Sequence, residues 1–275
     1  MQHVKISFAT PPEMDTDILM AMLMGAGYDG FEETGDELFA YIDDFSFDEV
    51  HLNSIADELG RSYTKEIIPL QNWNALWESN FQPVIIDNFC TIRAHFHEMT
   101  ETTPYDIIIT PKMSFGTGHH ATTQLMITMM KDLSLTGKSV LDFGTGTGVL
   151  AIMAEMLGAA NILAIDNDQW CVDNSMENIE RNHCKNITVH IGSLEDIAID
   201  KADVILANIN RHILLNYMPA LYKILNKGGS LLMSGLLVED KEIILEEAND
   251  KGFHFTRMCE QNGWIALLFE KELTV

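Results

Sequence analysis

A chain of 275 residues has room for one large domain or two smaller ones, and its 47% apolar and 21% charged content is ordinary for a globular protein. The net charge of −24, from 41 acidic against 17 basic residues, argues against a protein that grips nucleic-acid phosphates and suits either a basic partner or simple solubility. Cys90, Cys171, Cys184 and Cys259 are scattered with no C-x-x-C pair, and neither a signal peptide nor an apolar run of membrane-spanning length is present, so a cytoplasmic protein with reduced thiols is expected.

The acidity is concentrated at the front, where Met1 to Gly60 holds 14 acidic residues and a single basic one, Lys5. Val4 to Phe8 alternates like a strand. Pro11-Pro12-Glu13 opens a helix with Ile18, Leu19, Met22 and Leu23 on one face, stopped near Gly25 and Gly27. Phe31–Glu33 and Leu38–Ile42 read as strands about a turn at Gly35-Asp36. Ser46-x-x-Glu49 has the form of a capping box for a second helix through Val50, Ile55 and Leu59, ended by Gly60, before a strand at Tyr63–Ile68. The order βαββαβ predicts a small α+β ferredoxin-like domain over residues 1–70, with a sheet edge or open face available for docking.

Residues 71–109 read as a linker. Trp73 and Trp77, four apart, fit a helix pinned against a neighbour, and Val84–Ile86, Thr91–Ala94 and Tyr105–Ile109 fit entrance strands to a second domain.

From residue 110 to 275 strands alternate with helices, which predicts a parallel sheet covered on both faces. A strand at Ser139–Phe143 runs into Gly144-Thr145-Gly146-Thr147-Gly148 and then a helix from Val149. Glycines there let the chain turn sharply and a ligand approach bare backbone at a helix N-terminus. Asp166 ends the next strand, where an acid can grip ribose hydroxyls. Further helices are expected over Asp168–His183, His212–Asn226 (stopped by Gly228-Gly229) and Val238–Lys251, with strands at 187–191, 202–207 and 231–234. The last two strands, near Phe253–Met258 and Trp264–Phe269, lack a helix between them, so one must run antiparallel.

The glycines fall at 144, 146 and 148, and Val149 stands where the G-x-G-x-x-G dinucleotide fingerprint needs its third glycine. This spacing, the closing hairpin, Asp142, Asp166 and Asn208 resemble the class I methyltransferases, with their Rossmann-like seven-stranded sheet and S-adenosyl-L-methionine cofactor. A second motif, Phe115-Gly116-Thr117-Gly118-His119-His120-Ala121-Thr122-Thr123, also fits a plain loop with Thr122 or Thr123 capping a helix from Gln124. In context it is similar to the F-G-T-G-x-H-x-T-T signature of the ribosomal protein L eleven methyltransferases, the PrmA family. That likeness spans most of the chain and includes the acidic front domain, the Trp-containing linker and Ala207-Asn208-Ile209. It departs at Thr110-Pro111-Lys112, where the family more often has Asp-Pro-Gly, and at Asn210-Arg211-His212, where it has small residues.

The resemblance implies a protein N-methyltransferase acting on lysine ε-amines and an α-amine of a basic ribosomal protein. It implies cofactor contacts from Thr123, Gly144, Asp166 and Asn208, to which the turn adds Gly146. Ser193 and Glu195, beyond the third strand, are placed to meet the adenine. No general base is assigned, and His119 and His120 fit loop stabilisation better than proton transfer. No metal, membrane or direct nucleic-acid contact is expected, and a monomer is favoured. The competing readings are a class I methyltransferase for RNA, another protein or a small molecule, a non-catalytic cofactor-binding module, and an NAD-dependent enzyme.

Overall fold

The computed structural model describes residues 3–10, 16–34, 36–68, 81–98, 103–112, 114–196 and 201–273. The chain divides into two compact units, 1–80 and 81–275.

In the first unit the elements are β1 (His3–Ala9), α1 (Thr16–Gly25), β2 (Gly30–Thr34), β3 (Glu37–Asp43), α2 (Glu49–Glu58) and β4 (Tyr63–Ile68). The sheet order is β2-β3-β1-β4 with every pair antiparallel, the ferredoxin-like arrangement. Period-two alternation puts Val4, Ile6, Phe8, Leu38, Ala40 and Ile42 into the core beneath Leu19, Leu23, Leu52 and Ile55. On the opposite face Lys5 places its ammonium 3.8 Å from the Phe39 ring centroid.

Two details differ from the sequence reading. Ile18 is 54% exposed, because the buried stripe of α1 is only as wide as Leu19 and Leu23 and Ile18 lies a full residue step around the helix. The cap of α2 is Asp48, whose Oδ1 accepts from Val50 N at 2.9 Å and His51 N at 3.1 Å; Asp44–Ser46 form a 3₁₀ turn, so Ser46 sits too early, and Val50 faces solvent. The opening at Pro11-Pro12-Glu13, Gly35 and the Trp73 and Trp77 pair lie outside the described residues.

The second unit begins with a three-stranded sheet of β5 (Val84–Ile86), β6 (Cys90–Ala94) and β7 (Tyr105–Ile109), in which β5 and β6 are antiparallel and β6 and β7 parallel. It continues with α3 (Ala121–Met130), β8 (Ser139–Phe143), α4 (Val149–Met156), β9 (Asn161–Asp166), α5 (Gln169–Arg181), β10 (Ile187–Ile191) and β11 (Ala202–Asn208). It closes with α6 (Arg211–Ile224), β12 (Leu225–Leu237), α7 (Lys241–Lys251), β13 (Phe253–Gln261) and β14 (Trp264–Lys271). The seven-stranded order is β10-β9-β8-β11-β12-β14-β13, with β14 antiparallel to both neighbours. One face packs α3, α4 and the three-stranded sheet into a common core, and the other packs α6 and α7.

Helix α6 stops at Ile224, before Gly228-Gly229: Leu225 already pairs with Ala202, and the register jumps to Val204 opposite Ser230, so the two glycines lie in the irregular stretch of β12. Val238–Asp240 is a 3₁₀ turn, and α7 proper starts at Lys241. No described helix is long and apolar enough to cross a membrane.

Candidate functional site

Strand order reverses between β9, β8 and β11, and in such sheets ligands bind beyond the carboxyl ends of the strands at that point. The turn from β8 into α4 occupies this position. Its amides at Gly144 and Thr145 donate to Ile165 O at 2.9 and 3.0 Å, which ties the turn to the end of β9. Gly144 (φ +79°) and Gly146 (φ +55°) adopt left-handed backbone, and there is no space for a side chain at either. A Cβ on Gly144 would lie 2.3 Å from Ile209 Cγ2, and one on Gly146 would lie 2.3 Å from Phe115 O.

Asp166 ends β9 beside this turn. Its Oδ2 accepts from Gly146 N at 2.9 Å and its Oδ1 from Asp168 N at 3.1 Å, so the carboxylate braces the turn while keeping lone pairs free for a ligand. Asp142, on β8 beneath the turn, is fully buried; its Oδ2 accepts from the Thr145 hydroxyl at 2.6 Å, and Oδ1 has no partner among the described residues. Burial, opposed by the Thr145 hydroxyl and the Ala151 amide and slightly reinforced by the Asp166 charge, pushes its carboxyl up to about 7.

The Phe115–Thr123 segment lies against the turn. Thr147 N donates to Phe115 O at 2.9 Å and the Thr147 hydroxyl to Gly116 O at 2.8 Å. The helix cap here is His120, in place of the Thr122 or Thr123 cap expected from propensity: its Nδ1 accepts from Thr122 N at 3.3 Å and lies 2.8 Å from the Thr122 hydroxyl. The ring is wedged between Phe115 (5.2 Å between centroids) and Trp264 (4.7 Å), contacts that a threonine could not make. These contacts engage Nδ1 in capping the helix and fix the ring against the loop. His119 turns toward Phe81, 4.6 Å between ring centroids, with its Nδ1 3.2 Å from the Thr117 hydroxyl.

A cavity of about 340 Å³ joins these parts. Gly144, Gly146, Asp166 and Asn208 all line it, together with Phe115, His120, Thr122, Ile209, Ile213 and Trp264. Asn208, at the end of β11, has a buried Oδ1 with no hydrogen-bond partner among the described residues. Thr123 is fully buried in the first turn of α3 with its hydroxyl likewise unpartnered, and it is the preceding Thr122 that lines the cavity. Ser193 and Glu195 do not line it. The Ser193 hydroxyl lies 2.8 Å from Glu195 Oε2, and the same oxygen accepts from Tyr217 OH at 2.9 Å; these two bonds hold the Glu195 carboxyl below its usual range.

Trp264, Gly235 and Ile213 line the cavity without having stood out in the sequence. Only Gly235 carried a local signal, a glycine directly after an apolar strand; with φ +85° it lets Ile209 O approach to 2.3 Å from where its Cβ would be.

An S-adenosylmethionine-sized ligand fits these features. The site has a glycine turn that a Cβ would fill, an acid with spare acceptor capacity, and at Asn208 a buried polar atom that lacks a partner among the described residues.

Comparison with known proteins bears on the family. The family model for ribosomal protein L11 methyltransferase (PrmA) matches residues 28–272. A ribosomal protein L11 methyltransferase from Phocaeicola vulgatus is 41% identical over 98% of this chain and 99% of its own length. The corresponding protein from Bacteroides thetaiotaomicron is 42% identical over 98% of this chain and 99% of its own. The crystal structure of a ribosomal protein L11 methylase from Lactobacillus delbrueckii subsp. bulgaricus superposes with a TM-score of 0.65 at 27% identity, covering 70% of this chain and all of that one. The chain belongs to the ribosomal protein L11 methyltransferase (PrmA) family.

Proposed function

We propose that this protein transfers methyl groups from S-adenosylmethionine to amines of ribosomal protein L11, the lysine ε-amines and an α-amine. The observation that carries the site assignment is the unpartnered carboxamide oxygen of Asn208, in the same cavity as the glycine turn and Asp166.

In this reading Gly144 and Gly146 offer bare backbone to the cofactor, Asp166 accepts from its ribose hydroxyls, and Asn208 completes the cradle, with Thr123 buried directly behind the lining Thr122. The bound cofactor supplies an electrophilic methyl group on a sulfonium. The protein's task is to present a neutral amine in line with it and keep water out. Phe115, Ile209, Ile213 and Trp264 give the cavity an apolar wall, and an apolar wall disfavours the ammonium form that cannot attack. Asn208 Oδ1 accepts an N–H of that amine and so orients its lone pair. His120 holds the loop, and no residue is assigned as general base.

Residues 1–70 serve as the docking module, 71–109 as linker and entrance, and 110–275 as the methyl-transfer domain. Glu32, Glu33, Asp36, Glu37, Asp44, Asp48 and Glu49 are exposed on the first unit, a charge pattern that steers a basic ribosomal protein.

Incubating the protein with labelled S-adenosylmethionine and purified L11, followed by mass spectrometry, tests the assignment; absence of methylated L11 at saturating cofactor would sink it. Replacing Glu32 and Glu33 with lysine is expected to raise KM for L11 with little change in kcat, and an unchanged KM would remove the docking role.

A further inference from the structure

Helix α5 carries Asn174 and Asn178, and its C-cap is Asn182, each four residues from the next and so on one face. All three bind the backbone that leads into the Phe115–Thr123 segment. Ile108 N donates to Asn182 Oδ1 at 2.9 Å, and Asn182 Nδ2 donates back to Ile108 O at 2.6 Å. Thr110 N donates to Asn178 Oδ1 at 2.7 Å, and Asn174 Nδ2 donates to Thr110 O at 3.1 Å. The helix thus offers β7 a column of carboxamides in place of a neighbouring strand.

Asn178 does more than extend this column. Its Nδ2 donates to Thr147 O at 2.8 Å, inside the glycine turn. From Thr147 the bonds continue to Phe115 O and Gly116 O. The segment is therefore stapled at Thr110 by carboxamides of α5 and again at Phe115–Gly116 by the amide and the hydroxyl of Thr147, and the two staples are joined through the buried Asn178 carboxamide. Asn178 makes bonds with both its Oδ1 and its Nδ2, whereas Asn174 Oδ1 has no partner among the described residues, so it is Asn178 that fixes the geometry of the network. Beneath it, Ser175 Cβ lies 3.1 Å from where a Cβ on Gly148 would be, so α5 and the turn have no slack between them.

We propose that Asn178 and Thr147 are positioning residues for methyl transfer: they set the wall formed by Phe115, His120 and Thr122 at a fixed distance from the turn that holds the cofactor. This rests on the methyltransferase reading above. Neither residue lines the cavity, and among the cofactor contacts assigned above Asp166 is held by Gly146 N and Asp168 N, and Asn208 lies on β11, so none of these bonds involves the Thr147 hydroxyl. Loss of that hydroxyl should therefore loosen the acceptor wall and leave the cofactor site intact.

The test uses Thr147→Val, which keeps the volume, Thr147→Ala, which cannot overpack, and Thr147→Ser, which restores the hydroxyl. Asn178→Leu cuts the network at its other end. Three quantities are read: amide hydrogen exchange over residues 115–120 in the protein without cofactor, the calorimetric Kd for S-adenosylmethionine, and kcat on L11. Val, Ala and Leu variants are expected to exchange faster over that segment, to lose kcat on the order of ten- to a hundredfold, and to keep Kd within about threefold; Thr147→Ser is expected to match the wild type. Unchanged exchange in the folded Val or Ala variant overturns the proposal, and so does a kcat loss matched by an equal loss of cofactor affinity or shared by Thr147→Ser. Failure of the wild-type protein to methylate L11 would defeat the functional reading alone, since the exchange comparison stands without it.

Discussion

Asp166 offers the sharpest test of the cofactor site. Replacing it with alanine removes the acceptor for Gly146 N at 2.9 Å and for Asp168 N at 3.1 Å, and with them the oxygens assigned to the ribose hydroxyls. A hydrogen bond to a charged acceptor contributes about 1.5–3 kcal/mol, so the lost ribose contact corresponds to a rise of about 10- to 150-fold in Kd. The two backbone amides are freed in the cofactor-free protein as well, which lowers its own stability by about 1 kcal/mol and appears as a lower melting temperature before any ligand is added. Calorimetric titration with S-adenosylmethionine and melting curves with and without cofactor separate the two effects. Equal Kd for mutant and wild type would show that Asp166 merely braces the turn and that the ribose is held elsewhere.

Asp142 makes stability depend on pH. In the unfolded chain its carboxyl ionises near 3.8, and in the folded protein at about 7. Between these values the native state binds the extra proton, so stability falls as pH rises across the window, by about 1.4 kcal/mol per pH unit. Asp142→Asn, which can still accept from the Thr145 hydroxyl, is expected to flatten that slope and to exceed wild-type stability above about pH 7; parallel urea-midpoint curves for the two proteins would contradict it. Gly146→Ala puts a Cβ 2.3 Å from Phe115 O, against an ordinary contact of at least 3.4 Å, so the loop must retreat about 1 Å. The left-handed φ adds about 1–2 kcal/mol, and a variant that melts and binds cofactor like the wild type would show that the loop is not fixed there.

Legibility in the sequence followed how local the chemistry is. Gly144, Gly146 and Asp166 belong to one βαβ unit, where spacing alone places them, and Asn208 lies at the end of the strand beside β8; these four do share one cavity. The antiparallel closing strands were legible because no helix separates them. Trp264 was not, since it reaches the cavity only through the insertion of β14 between β12 and β13. Caps misled for a related reason. Ser46 and Thr122 are better caps than their surroundings allow: a 3₁₀ turn moves the start of α2 to Asp48, and the Phe115 and Trp264 rings make His120 the residue that fits. Glu195, expected near the adenine, has its carboxylate bound by the neighbouring Ser193 and by Tyr217, and the Tyr217 contact comes from α6 and is invisible in the local sequence.

The placement of β14 also bears on how the molecule is born. This is the last strand of the sheet to be synthesised, yet it lies in the interior, flanked by β12 and β13. Until it emerges, β12 presents an open edge and β13 has no partner, so the nascent sheet holds a gap that any foreign strand could enter. Trp264 arrives with that strand, and the wall around Asn208 is therefore the final part of the pocket to assemble. A chain cut short before Trp264 would retain the whole glycine turn and Asp166 while lacking the strand that joins β12 to β13 and one side of its pocket.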